Sequence, residues 1–386
     1  MVKKIMKRSG TFILAAALAM STIISQTNVS ASERTTQKLQ KQYFLQKSGV
    51  KKAAREATPE EWNKTEVKAY RFNGVTDAIM YMMSGGIKYY NESYFKNPKK
   101  IKITIEGSGT LVLSALADDE KPGILYDSNQ KVIKKIDDES YVKAQVNQGE
   151  VYYVDFPTKC KRGMLSVYVL KNECQSLNAD DINLQRGQGK ETYHTFQMKK
   201  RGSLELVVSS LTEQGNTSYK IQKNEKGKWT TIGKTRIAKQ EDAVEDTYGI
   251  SAGNYRLVLK SSPEQVASIG IEKCYYSKKK ISYKKSKAKN LDAENIYTTN
   301  EKAARWYKVS VKTSKKQKKL GIYTSINDGG LKFTVYQKGK KKPIKTVKMK
   351  RSNFSKTVKL PKRRGTYYVK VSKLTKKTNG YYRISK

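Results

Sequence analysis

Cysteine, histidine and proline are scarce in this 386-residue chain, at three, one and seven copies. Three cysteines, Cys160, Cys174 and Cys274, are too few for a disulfide framework, and the odd number leaves at least one thiol unpaired or paired to another chain. Cys174 and Cys274 fall at equivalent places, just past the last strand of two sequence repeats, so a bridge between repeats is the alternative to two incidental thiols. Without a CxxC, one histidine cannot complete a His/Cys zinc set. A Ser-His-Asp or Cys-His site would have to use His194, and no GxSxG elbow supplies the serine. On its strand His194 shares a face with Phe196 and Met198, which predicts a half-buried structural role. Long apolar runs are also missing. The one run, Phe12 to Ile24, contains Ser21 and Thr22 and is shorter than the roughly 20 residues of a membrane span.

That run reads instead as the core of a secretory signal. Lys3, Lys4, Lys7 and Arg8 precede it, and Val29-Ser30-Ala31 places small residues where a signal peptidase cuts. The expectation is a signal peptide over 1–31, a polar leader over 32–65 that is partly helical or disordered, and a secreted product with no transmembrane segment after cleavage. The product is then released or held non-covalently at the cell surface.

One short pattern occurs three times. Gly149-Glu150-Val151-Tyr152-Tyr153-Val154, Gly253-Asn254-Tyr255-Arg256-Leu257-Val258 and Gly365-Thr366-Tyr367-Tyr368-Val369-Lys370 each start a tyrosine-bearing strand with glycine. Glycines 104 and 112 residues apart mark a repeat the size of a small domain. Around each copy the same segments recur. An alternating strand comes first: Ile101 to Ile105, Tyr193 to Met198, and Trp306 to Val311. A serine-ending strand follows: Leu111 to Ser114, Leu206 to Ser209, and Leu320 to Ser325. A hairpin comes next, turning at Asp127-Ser128-Asn129, Glu225-Lys226-Gly227 and Lys338-Gly339-Lys340. A closing strand ends the unit, as at Gly380 to Ile384. With the strand before each glycine this makes about seven short strands per repeat, the spacing of a sandwich. Tyrosine outnumbers phenylalanine 26 to 8, which suits strands whose rings are half buried with wet hydroxyls.

The fold expected is all-β: three tandem jelly-roll or immunoglobulin-like antiparallel β-sandwiches over 66–176, 177–277 and 278–386. Repeat one carries an added front end in which Ala78 to Met83, before Gly85-Gly86, reads as an extra hairpin.

The order of these segments, above all Gly365 to Val371 after Leu331 to Tyr336, resembles the bacterial pre-peptidase C-terminal (PPC) β-sandwich family over residues 95–386. The resemblance implies a jelly-roll-like sandwich, a secreted setting and a non-catalytic accessory role beside a hydrolase, with matrix, polysaccharide or calcium binding in some relatives. No hydrolase domain precedes the repeats here, and the family has no universal site residues to carry over.

Charge is the other strong signal. The chain carries 78 Lys+Arg against 34 Asp+Glu, a net +44. Tyr275 to Lys386 alone hold 35 Lys+Arg against Asp292, Glu294, Glu301 and Asp328. The clusters are Lys278-Lys279-Lys280, Lys284-Lys285, Lys315-Lys316, Lys318-Lys319, Lys340-Lys341-Lys342 and Lys362-Arg363-Arg364. A field of this strength concentrates polyanions. Lysine is a point charge without the bidentate fork of arginine, which excludes sequence-specific reading of nucleic acid and favours an anionic cell-wall polymer or an acidic polysaccharide as partner. Paired tyrosines such as Tyr367-Tyr368 and Tyr381-Tyr382 point to opposite faces of a sheet, so the two members of a pair do not share one platform.

Carboxylates cluster at Asp118-Asp119-Glu120, Asp137-Asp138-Glu139 and Glu241-Asp242 with Glu245-Asp246, all read as loops. They would serve a glycosidase or, as hard oxygen ligands, a calcium ion, but none has EF-hand spacing. The reading is therefore of no cofactor, with calcium as the alternative. The function expected is non-catalytic, surface or matrix binding. A carboxylate-dependent secreted hydrolase and a spacer with no dedicated ligand are the alternatives.

Overall fold

A computed structural model describes residues 66–74, 92–96, 100–117, 123–136, 141–156, 162–179, 182–212, 215–239, 243–291, 293–312, 317–351 and 354–385. Residues 1–65, expected as signal and leader, lie outside the described residues, as do the run Ala78 to Met83 and Cys160. What is described is all-β.

Repeat one supplies β1 (Glu66–Ala69), β2 (Arg71–Phe72), β3 (Glu92–Lys96), β4 (Ile101–Ile105), β5 (Gly109–Ala117), β6 (Gly123–Tyr126), β7 (Val132–Ile136), β8 (Tyr141–Val146), β9 (Val151–Asp155) and β10 (Arg162–Leu170). Repeat two supplies β11 (Asn183–Arg186), β12 (Glu191–Met198), β13 (Gly202–Ser210), β14 (Thr217–Glu225), β15 (Lys228–Ala238), β16 (Ala243–Ile250), β17 (Gly253–Lys260) and β18 (Val266–Tyr275). Repeat three supplies β19 (Lys289–Asn290), β20 (Ala293–Tyr297), β21 (Arg305–Val311), β22 (Lys319–Asp328), β23 (Gly330–Gln337), β24 (Lys345–Lys350), β25 (Ser355–Lys359), β26 (Gly365–Lys373) and β27 (Asn379–Ser385).

These strands form six sheets, two per repeat, and the strand order recurs. One sheet of each repeat runs first strand, glycine–tyrosine strand, hairpin: β4-β9-β6-β7, β12-β17-β14-β15 and β21-β26-β23-β24. The other runs closing strand, second strand, pre-glycine strand: β10-β5-β8, β18-β13-β16 and β27-β22-β25. The seven strands expected per repeat are all present. The sheets are not wholly antiparallel, however. A short strand ahead of each first strand pairs with it in parallel: β1 with β4, β19 with β21, and a lone Ser176–Thr195 bridge in repeat two. β2 also pairs with β10 in parallel.

Alternation decides which side chains go in. Ile101, Ile103 and Ile105 are buried while Lys102 and Thr104 between them are not. Each such isoleucine contributes about 1.5–3 kcal/mol by leaving water. Each repeat encloses its own apolar cluster. The third is built on tyrosine. Tyr297, Tyr307, Tyr367 and Tyr382 are at most 3% exposed, so their hydroxyls are not wet as expected but buried and bonded within the core. Tyr297 donates to the Val371 carbonyl at 2.8 Å, and the hydroxyls of Tyr307 and Tyr382 bond each other. Arg305, fully buried, lies 3.8 Å from the Tyr297 ring centroid and pairs with Glu301. The three repeat glycines, Gly149, Gly253 and Gly365, all have positive φ, at 85°, 146° and 154°. A side chain would meet only open space or flexible neighbours there, so backbone conformation, not room, selects glycine.

The joints between repeats differ in chemistry. Repeats one and two meet through an apolar cluster of Val112, Ala144, Tyr168 and Leu170 with Ile182, Leu184 and Val266. Repeats two and three meet through ions. Arg201 donates to Asn295 at 2.7 Å and pairs with Glu301 at 2.9 Å. Arg236 pairs with Asp246 at 3.3 Å and Asp328 at 3.6 Å, and Arg351 reaches back to Asp246 at 3.0 Å. Gly249 makes this contact possible, because a Cβ there would fall 2.2 Å from the Tyr297 carbonyl oxygen.

Candidate functional site: a basic end on repeat three

The lysine clusters do not scatter evenly over repeat three. β22 starts at Lys319 and ends at Asp328, beside Arg236 of repeat two. The far end is therefore where β21 turns into β22, β23 into β24, and β25 into β26. Three of the expected clusters sit on these turns. Lys318-Lys319 lies against the β25–β26 turn, since Leu360 N donates to the Lys318 carbonyl at 2.9 Å and Lys319 pairs in register with Lys359. Lys340-Lys341-Lys342 caps the β23–β24 hairpin, whose Lys338 N donates to the Thr366 carbonyl at 2.9 Å. Arg363, from Lys362-Arg363-Arg364, donates to Gln337 and ties the two turns together. The side chains of Lys319, Lys340, Lys341, Lys342, Lys362, Arg363 and Arg364 are exposed. Among the described residues none of them is paired with a carboxylate. The result is one unneutralised basic end.

The remaining clusters are placed elsewhere. Lys278 and Lys279 are exposed on a short 3₁₀ turn with Lys280, next to the joint with repeat two, where Ser277 caps Lys279 N at 3.2 Å. Lys284 is exposed, whereas Lys285 lies over aromatic rings on the outer face of the β21-β26-β23 sheet. Lys315 and Lys316 lie outside the described residues.

The carboxylates come out differently from the expectation. Asp118 to Glu120, Asp137 to Glu139 and Glu241-Asp242 lie outside the described residues. Glu245 and Asp246 are not in a loop; they belong to β16. Asp246 is 4% exposed and accepts from Tyr219 at 2.9 Å, with Arg236 and Arg351 balancing its charge. It is a joint residue, not a ligand. Among the described residues no three His, Cys, Asp or Glu side chains are grouped to hold a metal ion. One carboxylate pair escaped the sequence reading. Glu205 and Glu272 face each other in register on β13 and β18. Burial, then the charges of Glu272 and Glu245, push the Glu205 carboxyl up to about 7. Only strand register brings the two together, and 67 residues of sequence hide it.

His194 shares a face with Phe196 and Met198 as expected, but at 1% exposed it is fully buried and not half-buried. Its Nδ1 donates to the Cys174 carbonyl at 2.5 Å, and its Nε2 pairs with Thr192 at 2.9 Å. Cys174 Sγ also lies 3.3 Å from Nδ1. Burial lowers the imidazole pKa and pushes the thiol up to about 12, so both groups stay neutral and the pair lacks the thiolate a nucleophile needs. No bridge joins Cys174 to Cys274, and Cys274 lies inside β18 and not past it.

No family model matches the chain, and no curated protein is significantly similar to it in sequence. Solved structures align only loosely. A chain of the lipid-containing bacteriophage PM2 is 9% identical, covering 76% of this chain and 98% of that one at a TM-score of 0.16. The cycloalternan-forming enzyme from Listeria monocytogenes, in complex with pentasaccharide substrate, is 12% identical over 47% of this chain and 18% of that one at 0.16. The VP2 subviral particle of infectious bursal disease virus is 8% identical over 72% and 66% at 0.17. At such scores none bears on what this chain does.

Proposed function

We propose that the chain is a secreted, non-catalytic binding protein held electrostatically on an anionic cell-wall polymer or acidic polysaccharide, with repeat three as the anchor. The observation that carries this reading is the convergence of Lys318-Lys319, Lys340-Lys341-Lys342 and Lys362-Arg363-Arg364 at one end of repeat three, far from Asp328 and Glu301. Turns presented on a packed sandwich hold their charges in a fixed array, and like charges so placed attract a polyanion over a Debye length of about 8 Å in physiological salt. The signal-like first 31 residues support secretion. On the order of their sequence segments the repeats are proposed to be PPC-like sandwiches, with those over 66–176 and 177–277 as spacers or partner-contacting domains.

Co-sedimentation with purified Gram-positive cell walls tests the reading. Retention at low salt should be lost at roughly 0.5 M salt, where exposed charges are screened. It should also be lost on deleting 278–386. A chain that stays in solution at low salt refutes it. Retention that survives both treatments points to repeats one or two.

A further inference from the structure

The outward face of the first sheet of each repeat carries aromatic rings matched with cations. In repeat one Tyr126 and Tyr153 are cross-strand neighbours on β6 and β9, with Lys100 Nζ 4.3 Å from the Tyr126 ring centroid. In repeat two the Arg256 guanidinium lies 4.2 Å from the Tyr193 ring and 4.4 Å from the Trp229 ring. In repeat three the arrangement is largest. Tyr336 and Tyr368 pair across β23 and β26, and Trp306 on β21 packs 5.5 Å from Tyr336. Lys285 Nζ lies 5.1–5.9 Å from all three rings, and Lys370 Nζ lies 5.6 Å from Trp306. Tyr367 and Tyr307, the neighbours of Tyr368 and Trp306 along their strands, are core residues. The outward rings are thus not spill-over from the core. All three are only partly buried.

We infer that this face of repeat three is a stacking site for the sugar rings of a carboxylate-bearing polysaccharide. The inference rests on the polyanion reading above and narrows its ligand. A pyranose presents a C–H face that packs on an aromatic ring. A uronate carboxylate beside that ring meets the ammonium groups of Lys285 and Lys370, which in the free protein rest on the rings themselves. A ring-less polyanion such as polyphosphate gains only the charge. Rings and cations alternating across adjacent strands suit a ligand in which both features repeat at every residue, and a linear polyuronate is such a ligand. The weaker copies of the motif in repeats one and two lie on the corresponding sheet, so one long chain has three places to bind on a single molecule.

The test compares the full chain with two variants on two immobilised polymers, a linear polyuronate and polyphosphate, across a salt series. One variant is Trp306→Ala with Tyr368→Ala; the other is Lys340→Ser, Lys341→Ser and Lys342→Ser. The ring variant should bind polyuronate roughly tenfold more weakly, the scale of one lost stacking contact, and bind polyphosphate unchanged. The lysine-turn variant should weaken on both polymers. A far-UV circular dichroism spectrum and melting temperature matching those of the native chain show that the ring variant is folded. Hydroxyl-radical footprinting of the unsubstituted chain gives a check free of any folding defect: polyuronate should protect Trp306 and Tyr368, and polyphosphate should not. Equal binding of polyuronate by the ring variant and the native chain, or no protection of these rings, overturns the stacking site and leaves the electrostatic anchor standing. Ring-dependent capture of single-stranded DNA without capture of polyuronate overturns it in favour of base stacking. No binding of either polymer by the native chain at low salt overturns both readings.

Discussion

Asp246→Ala is expected to lower the stability of repeats two and three by about 3 kcal/mol. The carboxylate is 4% exposed, and its partners are unevenly placed. Arg236, with a side chain only 15% exposed, lies 3.3 Å from it, Tyr219 donates at 2.9 Å, and Tyr248 lies at 3.4 Å. Removing one partner of a buried ion pair costs about 3–5 kcal/mol, because the other charge stays behind in a poor solvent. Arg236 keeps the Asn327 carbonyl at 2.9 Å and Asp328 at 3.6 Å, which holds the cost to the low end. Arg351, although only 3.0 Å from Asp246, has a side chain 46% exposed, so Arg351→Ala should cost about 0–1 kcal/mol. A loss of about 3 kcal/mol lowers the melting temperature of a unit this size by about 6–12 °C. Calorimetry measures the drop, and urea unfolding followed by tryptophan fluorescence gives the free energy independently. A loss below about 1 kcal/mol for Asp246→Ala, or an equal loss for Arg351→Ala, would refute the reasoning.

Two further outcomes follow from burial. Glu205 is uncharged in both states at pH 4; as pH rises the unfolded carboxyl ionises first, while the folded one holds its proton to about 7. The penalty therefore grows from the ordinary carboxylate range up to pH 7 and stays constant above it. Glu205→Gln should raise stability at pH 8 by about 2–3 kcal/mol and leave it unchanged at pH 4, as parallel melts at the two pH values would show. Cys174, pushed up to about 12, should resist a thiol reagent at pH 8 in the native chain and react on unfolding, which mass spectrometry of the labelled peptides would follow.

Much of the fold was legible in the strands themselves. Ile101, Ile103 and Ile105 alternate with polar residues, and the glycines before Val151, Tyr255 and Tyr367 mark positive-φ starts. Alternation says which side chain turns inward but not which way a neighbouring strand runs. The parallel pairing of Glu66–Ala69 and Lys289–Asn290 was therefore hidden. Asp246 read as part of an acidic loop because its cations, Arg236 and Arg351, are supplied by β15 and by a turn more than a hundred residues away. The basic clusters were legible as charge, whereas their meeting at one end depends on which turns share that end. Trp306, Tyr336 and Tyr368 form one surface only once β21, β26 and β23 are known to be neighbours.

The two joints answer their surroundings in opposite ways. The contact of Val112, Tyr168 and Leu170 with Leu184 and Val266 tightens in structure-making salts and loosens in the cold. The contact through Arg201, Arg236 and Arg351 loses its outer, water-facing part as ionic strength rises. A structure-making salt thus firms the first joint while it weakens the water-facing part of the second.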